Sequence, residues 1–199
     1  FRGKPKVKGG GMQLLRRKGA LDDAIKATDY DHLDLIPADF SYRNMDLLLE
    51  EFSKSSTRLA KLLKPLGAAY DYLFLDCPPG ISLVSENILA AADVLLVPTI
   101  PTTLSLRTLV QLQQFRTDRK LTGLTILPFF SMVDGRKNLH RLIVEHPPTT
   151  LENLLTQTIP YASEIERMGV QRAPVETFAH ASRAAAAYRA LWAEIKTRC

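Results

Sequence analysis

Short apolar runs alternate along this chain with segments whose apolar residues recur every three or four positions. Leu33–Pro37, Leu73–Leu75, Val94–Val97 and Leu124–Val133 read as buried strands, the last of them interrupted at Pro128. Thr158–Tyr161 reads as a further short strand or the exit from one. The spacing predicts helices over Met12–Lys26, weakened near Gly19, and over a segment capped by Asp39 or Ser41 with Met45, Leu48, Leu49 and Phe52 on one face. Further helices are expected over Thr57–Leu66, Ser82–Ala92, Thr102–Lys120, Arg136–Glu145 and Ala181–Thr197. Thr149 with Glu152, and Ser163 with Glu166, have the spacing of capping boxes, and Gly169 is the expected stop of the second helix. Apolar strands alternating with amphipathic helices predict a layered α/β fold around a parallel sheet.

The stretch Tyr70-Asp71-Tyr72-Leu73-Phe74-Leu75-Asp76-Cys77-Pro78-Pro79-Gly80 carries the most chemistry. A continuous apolar run suits a strand buried on both faces, and open parallel sheets bind ligands beyond the carboxyl ends of their strands. Asp76 then stands where a carboxylate can hold the magnesium of a nucleoside triphosphate. Residue types alone leave a plainer reading equally open, a strand end with Asp76 as a helix cap. Lys8–Gly11 has the glycine content of a phosphate loop, but Met12 and Gln13 stand where lysine and a hydroxyl are needed, so the pattern fails.

Composition narrows the field without naming a function. At 199 residues the chain suits one domain with a sizeable core. No apolar run approaches the length of a membrane span. Two cysteines, Cys77 and Cys199, form neither a disulfide framework nor a zinc pattern, which fits a reducing compartment. His32, His140, His146 and His180 show no metal-ligand spacing. The net charge of +5 is uneven: Arg2 to Lys18 holds seven basic residues and no acid, as a polyanion-binding segment or a solvated face does.

Taken in order, several anchors resemble the ParA/Soj group of deviant-Walker P-loop ATPases, relatives of MinD. They are Leu35-Ile36-Pro37-Ala38, the Tyr70–Gly80 stretch, Ala92–Pro98, Met132-Val133-Asp134-Gly135-Arg136, Ile159-Pro160, Ala173-Pro174-Val175 and Ala187-Tyr188-Arg189. The resemblance implies one three-layer α/β domain over residues 1–199, a twisted, mainly parallel sheet flanked by helices. It implies ATP and magnesium as cofactors, with Asp76 ordering the metal through water, and a phosphate-sensing switch at Pro78, Pro79 and Gly80. Backbone at Ser131, Pro160 and Tyr161 is expected beside the adenine. It further implies an ATP-dependent homodimer that binds DNA nonspecifically, a ParB-like or other ATPase-stimulating partner, and a cytoplasmic, nucleoid-associated location without membrane insertion. Candidate DNA contacts are Arg136, Lys137, Arg172 and Arg183, with His140, Arg141 and Arg189 near them; an ordinary solvated helix face is the plainer reading of each.

Two departures stand out. The family opens on a strand and a Lys-Gly-Gly-x-Gly-Lys-Thr phosphate loop that the sequence from Phe1 onward does not contain, so an upstream segment is expected in the intact protein. Ser131 stands where relatives often carry asparagine, and serine recognises a base edge less completely. An ATP-dependent biosynthetic relative, similar to cobyrinic acid a,c-diamide synthase, is the alternative, and a fragment that binds no nucleotide is a third. Neither Cys77 nor Cys199 is placed as a persuasive nucleophile, which favours partitioning. The last helix, with Leu191 and Trp192 beside Arg189 and Lys196, could lie on a membrane surface, but Ala184–Ala187 favour close packing onto the body.

Overall fold

A computed structural model describes residues 15, 20–38, 42, 44–52, 57–77, 80 and 82–199. The chain forms two compact units, one up to Ala92 and one from Asp93.

The first unit holds helix α1 (Ala20–Ala24), a two-residue antiparallel pair of β1 (Lys26–Ala27) and β2 (Asp34–Leu35), and helices α2 (Met45–Glu50), α3 (Arg58–Leu63) and α4 (Leu83–Ala91). A 3-10 turn, Lys64–Ala68, follows α3. Leu21, Ala24 and Leu66 form its buried centre, with Ile25, Ile36, Tyr42, Leu62, Leu63 and Tyr70 around them. Helix α4 starts as its sequence specifies: Ser82 and Ser85 exchange side-chain to backbone bonds, and the Asp46 carboxylate accepts from the Val84 amide at 2.8 Å. The predicted first helix lies largely outside the described residues; its described end stops at Ala24, and Lys26 is already in a strand.

Two expectations fail in this unit. The run Leu33–Pro37 is not a buried strand: only Asp34 and Leu35 pair, antiparallel, and Leu33 and Asp34 are exposed. Tyr72–Cys77 is irregular and, apart from half-buried Leu75, exposed rather than a strand buried on both faces, and Phe74 is 69% exposed. A strand can be buried only where neighbours satisfy its backbone, and no strand among the described residues pairs with this run.

The second unit is built on β3 (Val94–Thr99) and β4 (Thr125–Phe130), paired parallel in register from Val94–Thr125 to Thr99–Phe130. Helix α5 (Thr103–Asp118) makes the crossover, and the Thr102 hydroxyl accepts from the Ser105 amide at its start. Helices α6 (Asn138–Glu145), α7 (Ser163–Gln171), α8 (Val175–Ala179) and α9 (Arg183–Lys196) complete it. The faces of β4 alternate as strand geometry requires. Ile126 and Phe130 pack with Leu109 of α5, Ile143 of α6 and Leu151. Leu127, with Phe129 beside it, packs with Leu155, Ile159, and Leu191 and Ile195 of α9. Helices therefore cover the sheet on both faces. Leu191 and Ile195 of α9 are core residues, which settles the packing reading of that helix; no helix among the described residues is long and apolar enough to cross a membrane.

The second edge of β4 is occupied by the segment 155–161. The Leu155 amide donates to the Pro128 carbonyl at 2.8 Å, and the Ile159 amide to the Phe130 carbonyl at 2.8 Å. This explains why Pro128 does not interrupt the strand. Its carbonyl points away from β3, so its missing N–H would also have pointed to that outer edge. The same bond overturns the capping box expected at Thr149 and Glu152. A helix there needs the Leu155 amide for itself, and the segment forms two turns instead, with Leu151 and Leu155 buried. The other predicted box also differs. Helix α7 begins at Ser163 itself, the Glu166 carboxylate accepts from the Tyr161 hydroxyl, and the helix runs past Gly169 to a left-handed Arg172 at φ 49°.

Glu194 of α9 fastens this helix to the segment beside β4, accepting from the Thr156 amide at 2.8 Å and the Gln157 amide at 2.9 Å. Burial opposes its ionisation, but the backbone donors of Thr156 and Gln157, the Thr156 side chain and the charge of Arg198 together hold its carboxyl below the usual range. A lowered folded value means the contribution is present above the ordinary glutamate value of about 4.3 and is lost as pH falls through the folded one. Glu194→Ala is expected to lower stability at neutral pH by about 0.5–1.5 kcal/mol in chemical denaturation, since solvent screens this half-exposed carboxylate, with the gap to the unaltered protein closing on acidification. A gap that stays constant down to pH 3 would contradict this role.

Candidate functional site

Beyond the carboxyl ends of β3 and β4 the two chains stay together for one more step: the Ser131 amide donates to the Thr99 carbonyl at 2.9 Å. Met132 then takes a left-handed conformation, φ 54°, which redirects the chain. Val133 meets Pro160 in an isolated parallel bridge, its amide donating to the Ile159 carbonyl at 3.0 Å and its carbonyl accepting from the Tyr161 amide at 2.9 Å. Ser131 and the pair Pro160–Tyr161, which follows it by 29 residues in the sequence, are thereby gathered at one end of the sheet. Pro160 is buried, Ser131 half-buried, and the Tyr161 ring 48% exposed. Backbone polar groups beside a half-exposed aromatic ring can receive a planar heterocycle by stacking and edge contacts.

Charged groups brace this loop. The Asp134 carboxylate, 13% exposed, accepts from Arg136 through Nε and Nη2, both at 2.9 Å, and from the Arg136 amide at 3.0 Å. The Arg136 side chain holds the Asp134 carboxyl far below the usual carboxylate range, and Asp134 in turn raises Arg136. Tyr161 donates to Glu166 at 2.9 Å, and that hydrogen bond and charge push its phenol upward. His140, 3% exposed, faces inward from α6 and accepts the Asp134 amide on Nδ1 at 3.1 Å. Sequence reasoning grouped His140 with the solvated basic face. Its spacing of three and four residues from Ile143 and Val144, both packed in the core, was the available signal.

Asp76 and Gly80 belong to the other unit. Asp76 is exposed, and Pro78 and Pro79 lie outside the described residues. Gly80 has φ 105°, a conformation L side chains rarely adopt, so a turn here requires glycine. The Cys77 thiol donates to the Leu75 carbonyl at 3.5 Å; burial of the sulfur, then the charge of Asp76, push its ionisation upward. A thiol so placed is a poor nucleophile at neutral pH. No group of three or more metal-ligating side chains occurs among the described residues.

The candidate DNA contacts are scattered over the second unit. Arg136 is exposed but committed to Asp134. Lys137 is exposed at the start of α6, Arg172 ends α7, and Arg183 opens α9. Arg189 is tied to Glu176 at 2.6 Å.

Comparison with known proteins places this geometry in context. The family described as an AAA domain matches residues 9–122, more than half of the chain. Sporulation initiation inhibitor protein Soj of Bacillus subtilis (strain 168) is 28% identical over 182 residues, covering 87% of this chain and 70% of that protein. Chromosome partitioning protein ParA of Myxococcus xanthus is 31% identical over 133 residues; the match covers 63% of this chain and only 46% of that relative's length. Among solved structures, cobyrinic acid a,c-diamide synthase from Mycobacterium smegmatis, with bound ATP analog and magnesium, superimposes with a TM-score of 0.68 at 24% identity, covering 80% of this chain and 66% of that one. That likeness establishes the α/β, P-loop NTPase-like fold.

Proposed function

Because the chain belongs to the ParA/Soj- and MinD-type family of P-loop ATPases, we propose that it is a partitioning ATPase that binds ATP with magnesium and acts as an ATP-dependent, DNA-binding dimer. One observation carries the reading: Ser131, Pro160 and Tyr161 converge beyond the carboxyl ends of a parallel sheet, where such folds bind nucleotides. In this assignment the adenine lies against the backbone of Ser131 and Pro160 and the ring of Tyr161. Both compact units belong to one ATPase domain. Its partners are nonspecific DNA and a ParB-like stimulator of hydrolysis, on the nucleoid in the cytoplasm.

The donor set fits magnesium. This ion keeps several of its waters and binds through one or two carboxylates plus substrate phosphates, so a single exposed carboxylate suffices. Asp76 would hold it through water, and when bound the ion would neutralise charge on the phosphates. Gly80, with Pro78 and Pro79 before it, would form the switch that senses the terminal phosphate, and its φ of 105° is a conformation that favours glycine. The biosynthetic alternative draws support from fold alone, while sequence similarity to Soj and ParA and the unreactive setting of Cys77 support partitioning.

Asp76→Ala is expected to lower ATP turnover by roughly 100-fold with folding retained by circular dichroism. Undiminished turnover would refute the role of Asp76, and turnover that requires a small carboxylic acid as co-substrate would favour the biosynthetic branch. For DNA, affinity measured across salt concentration should fall steeply, and Lys137→Ala should reduce the salt slope by about 0.9. Arg136→Ala should change it less, because Arg136 is spent on Asp134. Binding insensitive to salt would remove the DNA reading.

A further inference from the structure

His140 is a buried titratable side chain that the proposed chemistry does not use. It sits on α6, yet its hydrogen bond reaches out of the helix to the amide of Asp134. Asp134 is the junction of the strand-end loop. The residue before it, Val133, bonds to Ile159 and Tyr161; its own carbonyl accepts from the Lys137 amide at 3.0 Å; its carboxylate grips Arg136. The remaining polar group of that backbone is the N–H, and His140 is its acceptor. A backbone donor left without a partner there would be costly, and the left-handed turn at Met132 needs its surroundings to hold it.

We propose that His140 is a positioning residue for the base-side wall of the nucleotide site, its Nδ1 fixing the Asp134 amide so that Ser131, Val133 and Tyr161 present one preorganised surface. The inference rests on the assignment of Ser131, Pro160 and Tyr161 to the base. Acceptance on Nδ1 places the ring proton on Nε2, so the imidazole is neutral in the binding-competent loop. The side chain touches no substrate. Its effect passes through Asp134 to the loop, and from Asp134 through Arg136, whose charge bears on Tyr161. Removal of the acceptor should therefore loosen nucleotide binding and leave the chemical step nearly untouched.

The test compares His140→Phe, which keeps a flat buried ring without the acceptor, with His140→Asn, whose side-chain oxygen falls near the position of Nδ1. Amide hydrogen exchange at Asp134 should accelerate about tenfold or more in the Phe variant, the weight of one buried hydrogen bond. The KM for ATP should rise several-fold with kcat within about twofold, and the Asn variant should recover most of both losses. Nitrogen NMR of the unaltered protein should find Nδ1 of His140 unprotonated, a readout that needs no variant to fold. A protonated Nδ1, unchanged Asp134 exchange in the Phe variant, or a KM increase that Asn does not rescue would each overturn the proposal. Tyr161→Ala separates the premise: if it leaves the KM for ATP unchanged, the base-side assignment fails and the proposal falls with it, whatever the Asp134 exchange shows about the hydrogen bond.

Discussion

The backbone of β4 is hydrogen-bonded along both edges while its two faces pack into separate apolar clusters. β3 takes one edge in parallel register, and Leu155 and Ile159 donate to the carbonyls of Pro128 and Phe130 on the other. A strand in that position can expose nothing, so each neighbour must arrive in fixed register. The segment 155–161 is therefore drawn alongside β4, and with it Pro160 and Tyr161 reach the level of Ser131. The candidate base site follows from satisfying the backbone of one buried strand.

The same constraint explains what could be read from the residues. Val94–Val97 is a continuous apolar run because β3 packs on both faces, half-buried Leu95 and Val97 against one cluster and half-buried Val94 and Leu96 against the other, and Ile126, Leu127, Phe129 and Phe130 record the two faces of β4 in alternation. Ser82, Thr102 and Ser182 accept amide bonds at the starts of their helices as local chemistry dictates. Caps failed where tertiary bonds competed. Thr149 and Glu152 have capping-box spacing, but the Leu155 amide is more strongly claimed by β4. Gly169 was passed over because a helix stops where its neighbours require, and the left-handed residue is Arg172 instead. Helix α8, only five residues long, has too little periodicity to be legible.

Leu73–Leu75 is the instructive failure. Its sequence has the apolar content of a buried strand, yet Leu73 and Phe74 are exposed and Leu75 only half-buried. Apolar content states what a segment can tolerate, while burial depends on which backbone lies beside it, and that information is not local. The site shows the same division. The anchors Met132–Arg136 and Ile159–Pro160 came from a family resemblance; the family itself is borne out by the AAA-domain match, which ends at residue 122, and by the Soj and ParA similarities. The inward turn of His140 was signalled only by its helical spacing from Ile143 and Val144, and its bond to the Asp134 amide was not legible, since it arises from how the strand end meets α6. Arg136, a candidate DNA contact, is also the cation paired with Asp134, while its side chain stays 82% exposed.

The central claim is that the purine of ATP rests between the Ser131 loop and Pro160–Tyr161. Photolabelling with 8-azido-ATP in the presence of magnesium tests it directly, because the reactive group is on the base. Trypsin cuts the sequence so that Ser131 falls in the peptide 121–136 and Pro160 and Tyr161 in the peptide 142–167. Label confined to those two peptides and competed away by unlabelled ATP is the predicted result; competable label found elsewhere in the chain would contradict the account.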